Sequence, residues 1–385
     1  MNDAKQLVAK VFGEIADALE TGVFGNRARV GVTLLGSEHG VGEVLRGAEA
    51  AAKAYPDLEV VLIGPAVASS LRQHNAETEK AQHELMEQLL TSGEIDSAVT
   101  MHYNFPIGVA TVGKVLTPGR GREMYLATTT GTSATDRVEA MVKNTIYGIA
   151  CAKAGGIASP SVGILNVDAA RTVERSLQKL AAKGYGINFA QSVRADGGSV
   201  MRGNDLLVGA PDVMVTDTLT GNVLMKVFSA YTTGGDYESL GYGYGPGVGE
   251  GYDKVIHILS RASGAPVVSG AIRYAADMAK GSLLAVVAAE FSAAHSAGLR
   301  DLFKKEEQPV SASADEQVVC PPAKVATEEI AGIDILDLET AAKAVWKAGI
   351  FASTGMGCTG PVILVSTEDL AKAQEILIKA GHISA

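Results

Sequence analysis

The chain has 385 residues, of which 47% are hydrophobic, 44 are Gly and only 5% are aromatic. This length predicts two or three domains, or one large α/β unit with an appendage, and there is enough apolar material for a sizeable core. The formal net charge of −10 argues against a nucleic-acid partner, because an acidic surface repels a phosphate backbone.

The predicted elements begin with an amphipathic helix over residues 1–22, which carries charges throughout and lacks the apolar core of a signal peptide. Short apolar runs bounded by turn signals then predict strands at 27–36 and 57–65, with a helix between them. Strand, helix and strand at this spacing form a βαβ unit, which implies a parallel sheet. The alternation continues with helices at 77–92 and 136–155, strands at 122–131 and 160–168, and a strand and helix within 211–232.

This order predicts an open, doubly wound α/β sheet, whose ligands gather at the carboxyl ends of the strands. Residues 234–253 interrupt the order and are so rich in glycine that they predict a mobile loop or lid. Residues 282–298 are apolar but contain Glu290 and His295, and they are too few to span a bilayer. We therefore expect a buried helix there and no membrane partner.

The last part of the chain predicts a separate unit. Residues 304–324 have the charged, Ser-, Ala- and Pro-containing composition of a linker. The expected domains are therefore 1–303 and 325–385. The second is a small α/β domain with helices at about 338–348 and 367–380 and strands at 350–354 and 361–366, which flank a turn that contains a cysteine.

Cys358 lies in that turn, within the sequence "GMGCTG". Glycines allow backbone N–H groups to converge on one point, and such a group of donors stabilises a thiolate and, later, an oxyanion. The candidate nucleophile is therefore Cys358, and the expected oxyanion loop is formed by Gly355, Gly357, Thr359 and Gly360. The alternative is a small residue that fills a tight hairpin, for which Ser or Ala would serve equally.

The other two cysteines indicate no further chemistry. Cys151 lies in an apolar helix and is expected in the core, and Cys320 lies beside two prolines in the linker. The three cysteines have no metal-binding spacing such as CxxC, so we expect no metal site. Their odd number and wide separation predict reduced thiols in a cytoplasm.

Two segments predict an oxyanion site in the main unit. Residues 128–136 follow a strand and precede a helix, where hydroxyl and N–H groups bind phosphate; capping by Thr135 or Asp136 is the alternative. Residues 216–226 place polar groups after another strand, with Lys226 about one turn into the next helix, again as a ligand site or a cap. The candidate phosphate- and acyl-binding residues are Asn104, Thr129, Thr130, Gly131, Thr132, Ser133, Asn166, Asp217, Thr220, Gly221, Asn222 and Lys226.

The stretches "PSVGILNVD", "GINFAQSV" and "PDVMVTDTLTGNVLMK" resemble the core of the bacterial acyl-carrier-protein:phosphate acyltransferases, and the similarity covers roughly residues 28–300. This resemblance implies a three-layer α/β/α sheet related to that of phosphotransacetylases. It also implies transfer of an acyl group from a thioester to inorganic phosphate, without a bound cofactor.

With "GMGCTGPVI" added, the whole chain resembles the alpha subunits of component C of clostridial glycine/sarcosine/betaine reductase complexes. This resemblance implies that Cys358 carries an acetyl group, which phosphate releases as acetyl phosphate. The implied partners are the component C beta subunit, carboxymethylated selenoprotein A and further copies of the chain. In this hypothesis the linker lets Cys358 dock over a crevice in which Lys226 neutralises phosphate and Asn222 and the 129–133 loop orient it. The alternatives are a free-standing acyl-carrier-protein or coenzyme A:phosphate acyltransferase, a non-catalytic scaffold subunit and, more remotely, a nicotinamide dehydrogenase.

Overall fold

In a computed structural model of the chain, the described residues are 11–13, 15, 16, 19, 22, 27–194, 197–303, 318–331, 333, 337–357 and 360–383. The strands in chain order are β1 Ala28–Thr33, β2 Leu58–Gly64, β3 Arg72–Asn75, β4 Ser97–Thr100, β5 Val109–Leu116, β6 Glu123–Thr132, β7 Ser161–Leu165, β8 Asn188–Phe189, β9 Val200–Met201, β10 Val213–Val215, β11 Gly245–Gly249, β12 Ile256–Ile258, β13 Glu328–Ile330, β14 Ser353–Gly357 and β15 Gly360–Val365.

The helices in chain order are α1 Val41–Ala54, α2 Glu79–Thr91, α3 Arg137–Ala154, α4 Ala170–Ala182, α5 Gly203–Val208, α6 Thr218–Ala230, α7 Ala265–Lys280, α8 Leu283–Ser296, α9 Leu299–Leu302, α10 Leu338–Lys347 and α11 Leu370–Lys379. The strands and helices predicted between residues 27 and 168 are confirmed to within a few residues. Most of the predicted N-terminal helix over 1–22 lies outside the described residues.

Twelve strands form one sheet, in the order β3-β2-β1-β4-β12-β11-β5-β6-β10-β7-β8, with β9 beside β7. The strands from β3 to β12 run parallel to one another, and so do β6, β10, β7 and β8. Between these halves, β11 and β5 pair antiparallel with their neighbours, so the two halves run in opposite directions. The predicted parallel sheet is therefore right for each half and wrong for the centre, and the carboxyl ends of the halves lie at opposite edges.

Helices cover both faces of the sheet, which confirms the three-layer α/β/α prediction. Ala110 and Val112 of β5 pack in a cluster with α3, α7 and α8. Val109 and Val115 of the same strand point to the opposite face, where they pack with α2 and α6 respectively. The helices α2 and α6 therefore lie on the same face, on either side of the central antiparallel strands.

The glycine-rich stretch 234–253 is not the predicted mobile loop, because β11 lies within it and all five residues of that strand are buried. Glycine is required there by close packing. A Cβ on Gly249 would lie 2.6 Å from the Gly108 carbonyl oxygen, and one on Gly247 would overlap the Phe105 ring. The composition typical of a loop thus occurs in a central strand whose neighbours leave no room for side chains.

The C-terminal part forms a second, three-stranded sheet in the order β13-β15-β14, and α10 and α11 pack with it around Ile363 and Val365. The helices predicted between 338 and 380 are confirmed, as is the strand predicted at 361–366, but the strand predicted at 350–354 lies three residues later, as β14. The predicted buried helix at 282–298 is α8, with Leu283, Val287 and Phe291 buried. Within the described part of the chain, no helix is both long enough and apolar enough to cross a membrane.

Candidate functional site

The segment 128–136, predicted to be a phosphate-binding loop, is a strand in its first half, because β6 continues to Thr132. Thr129 is fully buried; its Oγ1 lies 2.7 Å from the Thr111 Oγ1 and donates to the Tyr244 carbonyl oxygen at 2.8 Å. The Thr129 hydroxyl therefore joins the central strands to one another. It offers no free group to a ligand in this conformation.

The other candidate residues of the 128–136 segment are either buried or partly exposed. Ser133 is buried, and its hydroxyl donates to Asn144 Oδ1. Gly131 has a φ of 86°, and a Cβ there would lie 2.8 Å from the Ala110 Cα, so glycine allows β5 and β6 to approach. Thr130 and Thr132 are partly exposed and are the members of the group that solvent reaches.

Aspartate caps begin both helices that follow the candidate segments. The Asp136 carboxylate accepts the Glu139 N–H at 2.9 Å at the start of α3. The Asp217 carboxylate accepts the Thr220 N–H at 3.0 Å and the Thr220 hydroxyl at 2.7 Å at the start of α6. Both aspartates thus perform the capping role that the sequence left open as an alternative.

Close packing places α6 directly on β6. A Cβ on Gly221 would lie 2.9 Å from the Thr128 carbonyl carbon and even closer to its oxygen, so only glycine fits. One residue further along, Asn222 Nδ2 donates to the Thr129 carbonyl oxygen at 3.1 Å. The "TGN" sequence therefore positions α6, with glycine for the approach and asparagine for a hydrogen bond.

Lys226 lies more than two turns into α6, rather than the predicted one turn, and it reaches the opposite edge of the sheet. Its Nζ donates to Ser260 Oγ at 3.0 Å and lies 3.4 Å from Glu238 Oε1. Since α6 starts after β10 and Ser260 follows β12, this helix connects the carboxyl ends of the two halves. The Lys226 side chain as a whole is 54% exposed.

Glu238 is the buried ion-pair partner of the Lys226 ammonium. It is only 2% exposed, and its Oε2 accepts a hydrogen bond from Ser263 Oγ at 3.0 Å. Its backbone N–H donates to the Ala262 carbonyl oxygen at 2.9 Å, which fastens it to the segment that carries Ser260. Burial, with a smaller contribution from Glu238, raises the pKa of nearby Tyr244, so that phenol stays protonated.

Asn104 lies at the contact between the main sheet and the C-terminal sheet. Its Nδ2 donates to the Glu329 carboxylate of β13. The Nε2 atom of His102 lies 3.6 Å from the same Glu329 Oε1. The predicted site residue Asn104 therefore anchors the C-terminal unit through Glu329.

The β14–β15 hairpin rests on the same segment. Gly355 forms a β-bridge with Pro106, and Gly357 pairs with Gly360 at the end of the hairpin. A Cβ on Gly357 would lie 2.8 Å from Glu329 Oε2. Cys358 and Thr359, which join the paired glycines, lie outside the described residues.

The segment that anchors the hairpin leaves the sheet beside Ser260. The Leu259 N–H donates to the Thr100 carbonyl oxygen at 2.9 Å, so the chain after β4 and the chain after β12 emerge side by side. One leads to His102 and Asn104, and the other carries Ser260, the partner of Lys226. In the region of these two strand ends, Asn104 follows β4 and the partner of Lys226 follows β12, and Glu329, which Asn104 contacts, lies beside Gly357.

The remaining candidates lie apart from this region. Asn166 is exposed at the end of β7, and its N–H donates to the Met201 carbonyl oxygen at 2.8 Å. Cys151 is buried in the core as expected, and burial raises the pKa of its thiol, whereas Cys320 is exposed. Among the described residues, no cluster of three or more His, Cys, Asp or Glu side chains could hold a metal ion.

Sequence reasoning missed Ser260, Glu238 and Glu329. The "LSRASG" sequence after a short apolar run offered a signal for Ser260, since polar residues between a strand and a helix had already indicated Asp217. Glu238 lay in the stretch interpreted as a mobile loop. Nothing local distinguishes Glu329, whose role depends on a partner more than 200 residues away in sequence.

Comparisons with known proteins identify relatives over the whole chain and over its central part. The model of the family described as fatty acid synthesis protein matches residues 28–364. A Peptoclostridium acidaminophilum protein named glycine/sarcosine/betaine reductase complex component C subunit alpha is 58% identical over 385 residues, covering 100% of both chains. A Staphylococcus epidermidis phosphate acyltransferase is 26% identical over 236 residues, which cover 51% of this chain and 70% of that protein.

Among solved structures, the comparison returns a branched-chain phosphotransacylase from Enterococcus faecalis V583. It is 15% identical, covers 66% of this chain and 99% of its own, and superimposes with a TM-score of 0.48.

Proposed function

The chain belongs to the fatty acid synthesis protein family and to the component C alpha subunits within it, and on this basis we propose that it converts an acetyl thioester on Cys358 into acetyl phosphate. Inorganic phosphate is the second substrate. The proposal combines the acyl-to-phosphate transfer in the name of the phosphate acyltransferases with the cysteine turn of the C-terminal unit.

In this reaction a phosphate oxygen attacks the carbonyl carbon of the thioester. A tetrahedral intermediate forms, the C–S bond breaks, and the Cys358 thiolate leaves with the bonding electron pair. The new C–O–P linkage is a mixed anhydride, so no oxidant or reductant is consumed. N–H groups at the end of the hairpin, at Gly357, Thr359 and Gly360, are the proposed donors to the oxyanion. Gly355, which the sequence also predicted for this loop, lies instead inside β14 between Val362 and Pro106.

The observation that supports the proposal is the contact of the C-terminal unit with the segment that follows β4. Glu329 contacts Asn104 and His102, and Pro106 bridges to Gly355. The anchoring segment emerges from the sheet next to the strand end that carries Ser260. The proposal is that a thioester at the hairpin end meets a phosphate at Lys226, whose partner Ser260 follows the strand beside β4.

The proposed phosphate site is formed by Lys226 and Ser260, with Glu238 holding the ammonium in place. An ammonium fixed by a buried carboxylate stays oriented and still has a free N–H for an anion. Asn222 contributes by fixing α6 on β6 through the Thr129 carbonyl. Thr130 and Thr132 lie at the end of β6, at the opposite edge of the sheet from Ser260, so they are not part of this site.

The proposed partners follow from the named relative, which is a subunit of a reductase complex with several components. We expect the component C beta subunit and carboxymethylated selenoprotein A to supply the two-carbon group that becomes the acetyl thioester. These partners act before phosphorolysis. They are not needed to load the thiol in the reverse direction, because acetyl phosphate can supply the acetyl group directly.

The test is incubation of the full-length protein with acetyl phosphate, followed by peptide mass spectrometry. We expect one acetyl adduct on the peptide that contains Cys358, and arsenate should accelerate acetyl phosphate breakdown. Cys358→Ser should lose both signals. Cys320→Ser, which removes the exposed thiol, is the matched control and should keep both. An adduct on Cys320, or arsenolysis that survives in Cys358→Ser, would contradict the proposed covalent step.

The similarity to the named phosphate acyltransferases favours a second function, direct transfer from acyl-carrier protein or coenzyme A to phosphate. A direct transferase needs no enzyme thioester. It would therefore form acetyl phosphate from acetyl-CoA equally well in wild type and in Cys358→Ser. Arsenate-dependent turnover by the isolated chain would in turn exclude a non-catalytic scaffold.

A further inference from the structure

His102 and Glu329 form an imidazole–carboxylate pair beside the β14–β15 hairpin. Nε2 of His102 lies 3.6 Å from Glu329 Oε1, and the two side chains are 24% and 33% exposed. The other carboxylate oxygen, Oε2, lies against the end of the hairpin, because a Cβ on Gly357 would be 2.8 Å from it. Cys358 is the next residue in the sequence. The pair therefore lies beside the backbone that carries the proposed nucleophile.

The carboxylate of this pair is held from both sides. Asn104 Nδ2 donates to it from the segment that follows β4. Glu329 itself lies on β13, where it is opposite Leu364 of β15, the second strand of the hairpin. The position of the carboxylate is therefore fixed relative to the main unit and to the hairpin at once.

A second histidine lies close to His102 and stays neutral. Nε2 of His83, on α2, lies 3.1 Å from Thr100 Oγ1, which in turn donates to the His102 carbonyl oxygen at 3.4 Å. Burial lowers the pKa of His83, the nearby His102 lowers it further, and Glu79 and Glu87 offset this only in part. Of the two imidazoles, the one that accepts a proton is therefore His102, which faces a carboxylate.

We propose that His102 is the proton-transfer group for the Cys358 thiol and that Glu329 positions it, an inference that rests on the proposed role of that thiol. A carboxylate alone beside the hairpin end would repel a thiolate. A protonated imidazole next to that carboxylate offsets the repulsion and adds an attraction of its own. The two groups therefore favour the thiolate only as a pair.

The pair serves both directions of the proposed reaction. When acetyl phosphate loads the thiol, an imidazole nitrogen of His102 takes the proton as the S–H bond breaks. The sulfur bonds to the carbonyl carbon, and the C–O bond to phosphate breaks with its electron pair on the phosphate oxygen. In phosphorolysis the C–S bond breaks, sulfur keeps the electron pair, and the imidazolium returns its proton to the thiolate.

The test measures the reactivity of the thiol directly, by alkylation of the full-length protein with iodoacetamide over a pH series and peptide mass spectrometry. We expect Cys358 to be alkylated with a pH midpoint well below that of the exposed Cys320. His102→Gln should raise the Cys358 midpoint and slow its alkylation at neutral pH roughly tenfold, since an unassisted thiol ionises near about pH 8.5. His102→Lys keeps a cation and should keep the low midpoint. The Cys320 profile should be the same in every variant.

A double variant separates the positioning role of Glu329 from a loss of structure. In the His102→Gln background, Glu329→Gln removes the uncompensated carboxylate and should lower the Cys358 midpoint again, whereas structural damage would add to the first effect. His74→Gln is the matched control, because His74 pairs with Glu94 at 3.3 Å on β3, at the outer edge of the sheet. It should leave the Cys358 profile unchanged.

Alkylation requires neither phosphate nor acetyl phosphate, so its outcome is independent of the acetyl-adduct experiment. A wild-type protein that forms no acetyl adduct but shows these alkylation profiles contradicts the proposed function and supports the pairing of the thiol with His102. The inference is overturned if Cys358 and Cys320 share one midpoint in wild type, or if His102→Gln leaves the Cys358 profile unchanged. It is also overturned if Glu329→Gln fails to lower the midpoint in the His102→Gln background.

Discussion

The packing of α6 on β6 is tested most directly by Gly221→Ala, a change of one methyl group. The backbone of Gly221 is helical, so alanine is conformationally allowed and even favoured over glycine by about 1 kcal/mol. Against this, the new Cβ would lie 2.9 Å from the Thr128 carbonyl carbon and 3.1 Å from Thr216 Cγ2. The obstacle on β6 is backbone and cannot rotate away.

The two effects therefore oppose each other, and the contact should dominate. Relief requires α6 to move by on the order of 1 Å, and overpacking of this kind costs about 1–3 kcal/mol. The same movement breaks the Asn222–Thr129 hydrogen bond, which contributes about 1 kcal/mol. After the gain in helix propensity is subtracted, we expect a net destabilisation of about 1–3 kcal/mol.

The assay is chemical denaturation followed by circular dichroism, together with acetyl phosphate arsenolysis. Gly42→Ala in α1 is the matched control, because a Cβ there meets nothing within 4 Å. It should leave stability unchanged or raise it by up to about 1 kcal/mol. If Gly221→Ala behaved like Gly42→Ala in both assays, the close approach of α6 to β6 would be wrong.

Three further predictions concern the phosphate ligand, the anchor of the hairpin and the acid limb of stability. Lys226→Ala should raise the KM for phosphate or arsenate roughly tenfold or more, since a hydrogen bond to a charged group contributes about 1.5–3 kcal/mol; initial-rate kinetics that show an unchanged KM would refute its role. Glu329→Ala should accelerate hydrogen–deuterium exchange in 102–107 and 353–357 but not in β1, whereas Glu339→Ala on α10 should change neither. Burial pushes the pKa of Asp57 upward, but hydrogen bonds from Arg273 and Lys280 outweigh it and lower that pKa to about 2. Its stabilising contribution is therefore present above the unfolded pKa of 3.8 and is lost as the pH falls through about 2. Asp57→Asn should therefore make the urea midpoint of unfolding fall less steeply as the pH is lowered through this range. An equally steep fall would contradict the pairing.

Elements defined by local pattern could be predicted from the sequence. β1 and β2 are short apolar runs, and α3 is a long segment between clear turn signals. The two helices of the C-terminal unit were likewise predicted close to their observed bounds, whereas the first strand of its hairpin was predicted three residues too early. In each case neighbouring residues carry the information, because period and turn chemistry are local properties.

The centre of the sheet could not be predicted. β5 follows a segment that gave no clear signal, and β11 is built from glycines whose composition is typical of a loop. Glycine occurs in β11 because Phe105 and Gly108, far away in sequence, occupy the space that side chains would need. A composition rule contains no information about those neighbours, so the reversal of direction between the two halves remained hidden.

Within the candidate site, the sequence indicated side chains but not their partners. The position of Asn222 after a strand was enough to suggest a role, but its bond to Thr129 is a property of the packed helix. Thr129 looked like a ligand donor and is instead a buried link between strands. The partnership of Lys226 with Ser260 and Glu238 joins the two edges of the sheet, which no spacing rule relates.

By itself the amino-acid sequence determined the α/β class, the appended C-terminal unit and the presence of one cysteine among glycines. Those features depend on hydrophobic period, turn residues and composition, all of which act over a few residues. Only the tertiary structure decided that the sheet reverses at its centre, that Glu329 fastens the hairpin to Asn104, and that Lys226 reaches the opposite edge. The reason is physical: these features come from contacts between segments distant along the chain, and such contacts exist only once the core has packed.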